Sequence, residues 1–428
     1  MATSQVSDAD GEVVDVVLRR VWDSRGRPTV EAEVHTSTGA YGRAIAPSGA
    51  STGTGERLER RDGGTRLGGA DVSDVVAHAG RVLGEALPGT AATFAAVDDV
   101  LLSLDPERAA PTLGGNVLIA TSMATAWAQA AQRRLPLWRF LAGDGPEPWM
   151  PLPQIQIVGG GAHAERALDI QDLMVVCPGA SSVAEAIEWT NEVHLAVGRI
   201  LAPRGAHGVA DEGGYWPVFG SNEDALEVLA TGIADAGFGH DQVAISLDIA
   251  ATQLCVDAAA DRYRLGLDGR RLGRDEMIVR VVDWCRTYPV VLVEDPLHEA
   301  DVDGHRQVRD LLAGRALVVG DDLLVTDADR IARVAGAADV LLLKPNQAGT
   351  LSETARALDA ARAAGMRVIA SARSGESEDV TIAHLAVGWR ADGVKVGSVT
   401  RGERTAKWNE LIRIEESVPR FGPPDGFV

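Results

Sequence analysis

The sequence predicts an α/β chain: a β/α barrel over residues 143–428 behind a smaller α+β domain over residues 1–142. Three observations carry this. First, residues 13–46 alternate apolar and polar residues in period two, as in VVDVVLRRVW and TVEAEV, which reads as antiparallel strands. Second, short apolar runs recur after residue 170, each closed by a polar residue, with amphipathic segments such as SETARALDAARAAG between them. Buried parallel strands alternating with helices have this signature. Third, the Gly- and Pro-rich stretch GDGPEPWMP (143–151) separates the two patterns and reads as a linker.

In the first region, residues 74–105 and 116–142 carry apolar faces and predict two helices. In the second, the runs are QDLMVVCP, QVAISLDIA, PVVLVEDP, ALVVGDDL, DVLLLKPN, RVIASARSG and GVKVGS. Such units over about 270 residues suit a barrel. Polar residues close the runs: Asp248, Glu294, Asp321, Lys344, Arg373 and Lys395. In a barrel those strand ends converge on one mouth, where catalysis occurs. An open doubly wound sheet would spread them along an edge, and its Gly-rich dinucleotide turn is not found.

Lysine usage sharpens the reading. Of 41 Lys and Arg residues only Lys344, Lys395 and Lys407 are lysines, and two of them close barrel runs. A partly buried lysine can lose its proton and act as a base, whereas arginine stays charged. Asp248, Glu294 and Asp321, on successive strand ends, form a hard oxygen set that can converge at about 2.1 Å on Mg²⁺. A metal and a second cation lower a lysine pKa, so one lysine is expected to be neutral and to take a proton. Each carboxylate alone would be read as a helix cap or a surface charge. Asp211 and Glu212, before two glycines, offer an acid for a leaving hydroxyl. The loop PSGASTG (47–53) can close over a substrate, and Arg373 with Ser374 suits an anion.

A net charge of −20 excludes sequence-independent nucleic-acid binding and attraction to anionic membranes. No run approaches a membrane span. The N-terminus MATSQVSDADGE lacks an apolar core for a signal peptide. Cys177, Cys255 and Cys285 have no metal-ligand spacing and fit a reducing cytoplasm.

Nearly the whole chain resembles enolases. DSRGRPTVEAEV (23–34), PSGASTG, DEGG (211–214), SLD (246–248), VEDPL (293–297), GDDLLVT (320–326), LLLKPNQAGTLSE (341–353), SARSGESEDVTIA (371–383) and RGERTAKWNELIRIEE (401–416) carry the resemblance. It implies an enolase-type barrel with an irregular start, a homodimer, and Mg²⁺, two ions per site. By position, Asp248, Glu294 and Asp321 would bind the metal that grips a substrate carboxylate, with Ser51 reaching a second Mg²⁺. Lys344 would remove the C2 proton of 2-phosphoglycerate and Glu212 would assist departure of the C3 hydroxyl. Lys395 would hold the carboxylate dianion, Arg373 and Ser374 the phosphate, and His163 and Gln171 would line the pocket.

The wall departs from the family. Enolases have HRSGE where this chain has Ala372-Arg373-Ser374-Gly375-Glu376, and QEFM where it has Gln171-Asp172-Leu173-Met174. The second change shortens a catalytic carboxylate, Asp172, by roughly 1.5 Å, one C–C bond. A misplacement of about 1 Å can lower a rate about a hundredfold. Retained machinery with a smaller wall resembles what is expected of a specialised paralogue of the carboxyphosphonoenolpyruvate synthase kind. That reading implies a phosphorylated carboxylate substrate, a second activated phosphonate, and extra room at Ala372. The alternatives are a housekeeping enolase and a non-catalytic enolase-like scaffold.

Overall fold

The computed structural model describes residues 11–164, 168–205, 208–257, 262–267, 269–423 and 425–428. Most of the polar N-terminal stretch discussed above lies outside them. Among the described residues no helix is long and apolar enough to cross a membrane.

Strands β1 (Val13–Trp22), β2 (Pro28–Thr36) and β3 (Tyr41–Ile45) form an antiparallel meander. The almost entirely buried helix Gly115–Gln132 covers it. Gly42 permits the close approach, since a Cβ there would lie 2.1 Å from the Ala124 carbonyl. Both helices expected in this region are broken in two. Residues 74–105 give Ser73–Ala86 and Phe94–Leu104. Pro88-Gly89 stops the first, and Thr93 caps the second by accepting from the Ala96 N–H at 3.3 Å. Residues 116–142 give Gly115–Gln132 and Leu137–Ala142, parted where Arg134 turns left-handed (φ 55°) before Pro136.

The barrel strands are β4 (Leu152–Gly159), β5 (Asp172–Val176) and β6 (Ala244–Asp248), followed after an insertion by five more. The insertion is a small sheet of β7 (Cys255–Asp257), β8 (Arg262–Leu265) and β9 (Arg270–Leu272). Then come β10 (Val290–Glu294), β11 (Leu317–Gly320), β12 (Val340–Leu343), β13 (Arg367–Ser371) and β14 (Gly393–Gly397). The closed order is β10-β11-β12-β13-β14-β4-β5-β6. Strand β4 and the small sheet were not among the expected runs; β4 carries buried Gln154 and Gln156 inside an otherwise apolar stretch.

A second difference matters for the site. Strand β5 runs antiparallel to β4 and β6. The connection between β4 and β5, residues 160–171, carries the 3₁₀ turn Gly161–Ala164 and, among its described residues, no crossover helix, which suits antiparallel neighbours. The helices Val183–Leu201 and Asn222–Asp235 then lie between β5 and β6. Reversal puts the start of β5, not its end, at the mouth, so Asp172 pairs with Asp248 across the sheet. Below the mouth, Leu152, Val176, Ala244, Leu292, Val319, Leu342 and Ile369 close the floor. The C-terminal tail docks there: the Met150 N–H donates to the Arg420 carbonyl at 2.8 Å, and Phe421 and Phe427 pack on the floor residues.

Candidate active site

Parallel strands β6 and β10 end side by side, with Asp248 and Glu294 in register. Asp321 follows β11. All three are buried. Behind them Asp295, held left-handed at φ 40°, accepts from the N–H groups of Asp321 (3.1 Å) and Asp322 (2.7 Å). This ordering carboxylate went unassigned in the sequence, although it adjoins Glu294 in VEDPL.

The lysines sit among the carboxylates. Lys395 Nζ, from β14, donates to Asp248 (2.9 Å) and Glu294 (2.7 Å) and lies 3.8 Å from Asp172. Lys344, after β12, pairs with Asp321, which also accepts from Gln347 at 2.9 Å. Burial opposes charge on both lysines, but Asp321 at Lys344, and Asp248 with Glu294 at Lys395, outweigh it and raise both pKa values. The expected neutral lysine needs a cation that draws these carboxylates away from it. The same carboxylates that would hold a cation hold the ammonium groups instead.

A divalent cation fits the residues present. Four carboxylates, Asp172, Asp248, Glu294 and Asp321, share two ammonium groups. Burial first, then Asp248, pushes the Glu294 pKa well above its ordinary value, with Lys395 offsetting only part. Glu294 Oε1 is buried with no hydrogen-bond partner among the described residues. The donors are all hard oxygens. Two groups have ligand atoms already close-set enough to hold an ion, Asp295-Asp321-Asp322 and His163-Asp172-Glu212, and the Asp248-Glu294-Asp321 set is not one of them. Lys395 Nζ occupies the space between Asp248 and Glu294 of that set.

Asp172 lies behind this front. It is fully buried, accepts from Gln156 and sits 3.1 Å from His163 Nδ1. Burial alone would raise its pKa, but His163 and then Lys395 bring it down to about 2. For His163, burial works against charge and is outweighed by Asp172 and Glu212, which lift it to about 9. His163 Nε2 lies 3.8 Å from Glu212. His163 and Glu212 line the central cavity, and Asp172 does not. It stays 3.8 Å from Lys395, which does line the cavity. The shortened side chain is tethered by Gln156 and His163 on the far side of the wall.

The loop 47–53 is docked shut. Ser48 and Gly375 exchange backbone bonds at 2.9 and 2.8 Å, Ala50 N donates to Ser374 Oγ at 2.8 Å, and Arg373 donates to the Ser51 carbonyl at 2.7 Å. A Cβ at Gly49 would lie 2.7 Å from the Ser51 carbonyl oxygen and would also meet the Arg373 guanidinium, so a larger residue would shift the loop. Ser51 Oγ accepts from Gln253 at 2.9 Å and contacts no metal-site carboxylate here. Arg373 is also gripped by buried Glu56 (3.1 Å) and Asn346 (3.0 Å). Arg25 reaches Ser374 Oγ at 3.2 Å. Arg25, Glu56 and Gln253 had no signal in the sequence beyond lying in matched or neighbouring motifs. Lys407 is fully buried but remote in role, tying Glu376 (3.0 Å) and the Ser377 carbonyl (2.8 Å).

Ser51, His163, Gln171, Glu212, Asp248, Lys344, Arg373, Ser374 and Lys395 thus surround one cavity, with Ala372 in its wall. The free volume is about 20 Å³ there, and about 20 Å³ more lies behind Ala372. The extra room expected at Ala372 is absent from the closed form, because Pro47, Met123 and Leu385 close in behind it.

Fold and site define a barrel protein with carboxylates and lysines at its mouth and a capping domain that supplies a closing loop. The enolase N-terminal domain family matches residues 13–141, and the enolase C-terminal TIM barrel domain family matches residues 147–424. The chain belongs to the enolase family.

Proposed function

We propose that this chain removes the C2 proton of 2-phosphoglycerate, or of a close analogue, to give an enolpyruvyl product, with the barrel 143–428 working under the cap 1–142. The observation that carries this is the cavity shared by Lys344, Glu212, Lys395 and Arg373. A base, an acid and two cations around one small closed space suit a multiply anionic acid.

Asp248, Glu294 and Asp321 would hold Mg²⁺, with Ser51 available to a second ion; the bound ion supplies charge that stabilises a carboxylate dianion. Lys344 would take the C2 proton as the neutral amine, having released its own proton to solvent once Asp321 is drawn from it. Lys395 holds the substrate carboxylate. Glu212 gives a proton to the departing C3 hydroxyl, with His163 beside it. Arg373 and Ser374 exchange their contacts with the loop backbone for the phosphate. Asp172 acts through His163 and Lys395 by fixing their charge and orientation.

The wall residues Ala372 and Asp172 support a specialised enzyme of the carboxyphosphonoenolpyruvate synthase kind, joining the enolpyruvyl unit to a second activated phosphonate in phosphonate antibiotic biosynthesis. The family implies a homodimer, and the sparse cysteines a cytoplasmic setting. The complete catalytic set also supports a housekeeping enolase. Phosphorus NMR of the protein with 2-phosphoglycerate and Mg²⁺, with and without CMP-activated phosphonoformate, separates the readings. A new phosphorus signal that needs both substrates supports the synthase. Rapid phosphoenolpyruvate formation from 2-phosphoglycerate alone supports the enolase. Failure of C2-proton exchange in D₂O would overturn both and leave a scaffold.

A further inference from the structure

Next to the catalytic cavity lies a much larger one, about 270 Å³ against about 20 Å³. For comparison, an apolar cavity of about 150 Å³ takes benzene. The two share a wall: Gln171 lines both. Its amide donates to the metal-site carboxylate Asp248 at 3.1 Å and accepts from Gln253 at 2.8 Å. Gln253 lines the larger cavity and also donates to Ser51 Oγ of the closing loop at 2.9 Å. Both donor hydrogens of Gln253 are thereby used, while its carbonyl oxygen makes no hydrogen bond among the described residues. An occupant of the larger cavity would press on the partition that holds both the loop and a metal ligand.

We propose that this cavity is a second-substrate subsite, taking a ring-sized, largely apolar organic group that carries one anionic function. The inference rests on the reading of the neighbouring site as an enolate-forming centre that uses a second substrate. Ile249, Leu254 and Val256 supply apolar wall. Two charged groups face the space, Asp169 and Arg264. Asp169 is consumed: its carboxylate accepts from Gly266 N (2.7 Å), Leu267 N (3.3 Å) and Asn222 (2.9 Å). Arg264, exposed on β8, forms no ion pair among the described residues and is the cation left for an anion at the rim. The larger cavity adjoins the loop and the metal set through Gln171 and Gln253, so a second substrate seated there would stand beside the reacting centre.

The test is ¹⁹F NMR of the full chain with 4-fluorobenzoate and, as a neutral counterpart, 4-fluorobenzamide, in Mg²⁺ and saturating 2-phosphoglycerate. Both probes are expected to bind, the benzoate more tightly, and to stay bound beside 2-phosphoglycerate. Val256→Trp, at an exposed position, should weaken both probes at least tenfold. Arg264→Ala should weaken the benzoate about fivefold and leave the benzamide unchanged. No binding by wild type, displacement by 2-phosphoglycerate, or unaltered affinity in Val256→Trp would overturn the subsite. C2-proton exchange, measured on the wild type alone, tests the catalytic reading separately: probe binding without exchange would sink that reading and not the cavity.

Discussion

Lys344 and Glu212 line the same cavity but are assigned opposite halves of the chemistry, and that division can be measured. Lys344→Ala should lower C2-proton exchange in D₂O by about 10²–10⁴-fold, the usual contribution of a positioned base. Glu212→Gln should keep exchange within a few-fold of wild type and lose product formation by a similar factor. If both variants lose exchange equally, the assignment of Glu212 to the later step is wrong. Ala372 gives a second residue-scale prediction. An imidazole does not fit in the about 20 Å³ free on either side of it, so Ala372→His should destabilise the closed form by about 1–3 kcal/mol, read from the urea midpoint, and lower any second-substrate activity. At this scale the sequence reports residue types well and their neighbours badly. Lys344 and Lys395 stood out because lysine is rare here and both close strands. Nothing in the local sequence shows that Lys395 lies between Asp248 and Glu294, because those pairs are set by barrel closure across 147 and 101 positions.

Asp98 shows what element packing does to a single group. It lies on helix Phe94–Leu104 of the cap and accepts from Ser352 N (2.8 Å) of the barrel helix Leu351–Ala363; its other oxygen is buried without a partner among the described residues. Burial lifts its pKa from 3.8 to about 7. Between those values the folded chain holds a proton that the unfolded chain has released, so stability falls as pH rises through this window. Asp98→Asn removes the ionisation. Its stability relative to wild type should grow by about 2 kcal/mol between pH 5.5 and pH 8, measured by urea unfolding; a pH-independent difference would place the ionisation elsewhere. The elements themselves were legible where periodicity is clean, as in β1–β3 and β10–β14. Two kinds were missed for physical reasons. Strand β4 hides polar residues that bond inside the barrel, Gln154 to Ser246 and Gln156 to Asp172, and inward polar residues break the apolar run that marks a buried strand. Strand β5 was seen, but its direction was not: an apolar run has no polarity, and the rule that catalytic residues follow their strand is inverted when the strand is.

At the scale of the whole molecule, the mouth joins parts that are distant in sequence, and its carboxylates tie three strands to one point. Asp248, Glu294 and Asp321 belong to β6, β10 and the end of β11, which are neighbours around the barrel. Without a cation, negative charge is in surplus there and buried Glu294 Oε1 is unpartnered. A divalent ion that binds the folded chain and not the unfolded one should stabilise the whole molecule, by about 2.7 kcal/mol at a hundred times its dissociation constant. Glu294→Gln separates this from nonspecific screening. The variant removes one crowded carboxylate, so without metal it should be as stable as wild type or more so. It should also lose most of the Mg²⁺-dependent rise in melting temperature. Asp303→Asn, at an exposed surface carboxylate, should keep the full rise. Equal Mg²⁺ responses in all three proteins would move the ion away from these strand ends, towards one of the two close-set groups. Loss of response in Glu294→Gln alone would place it where β6, β10 and β11 meet.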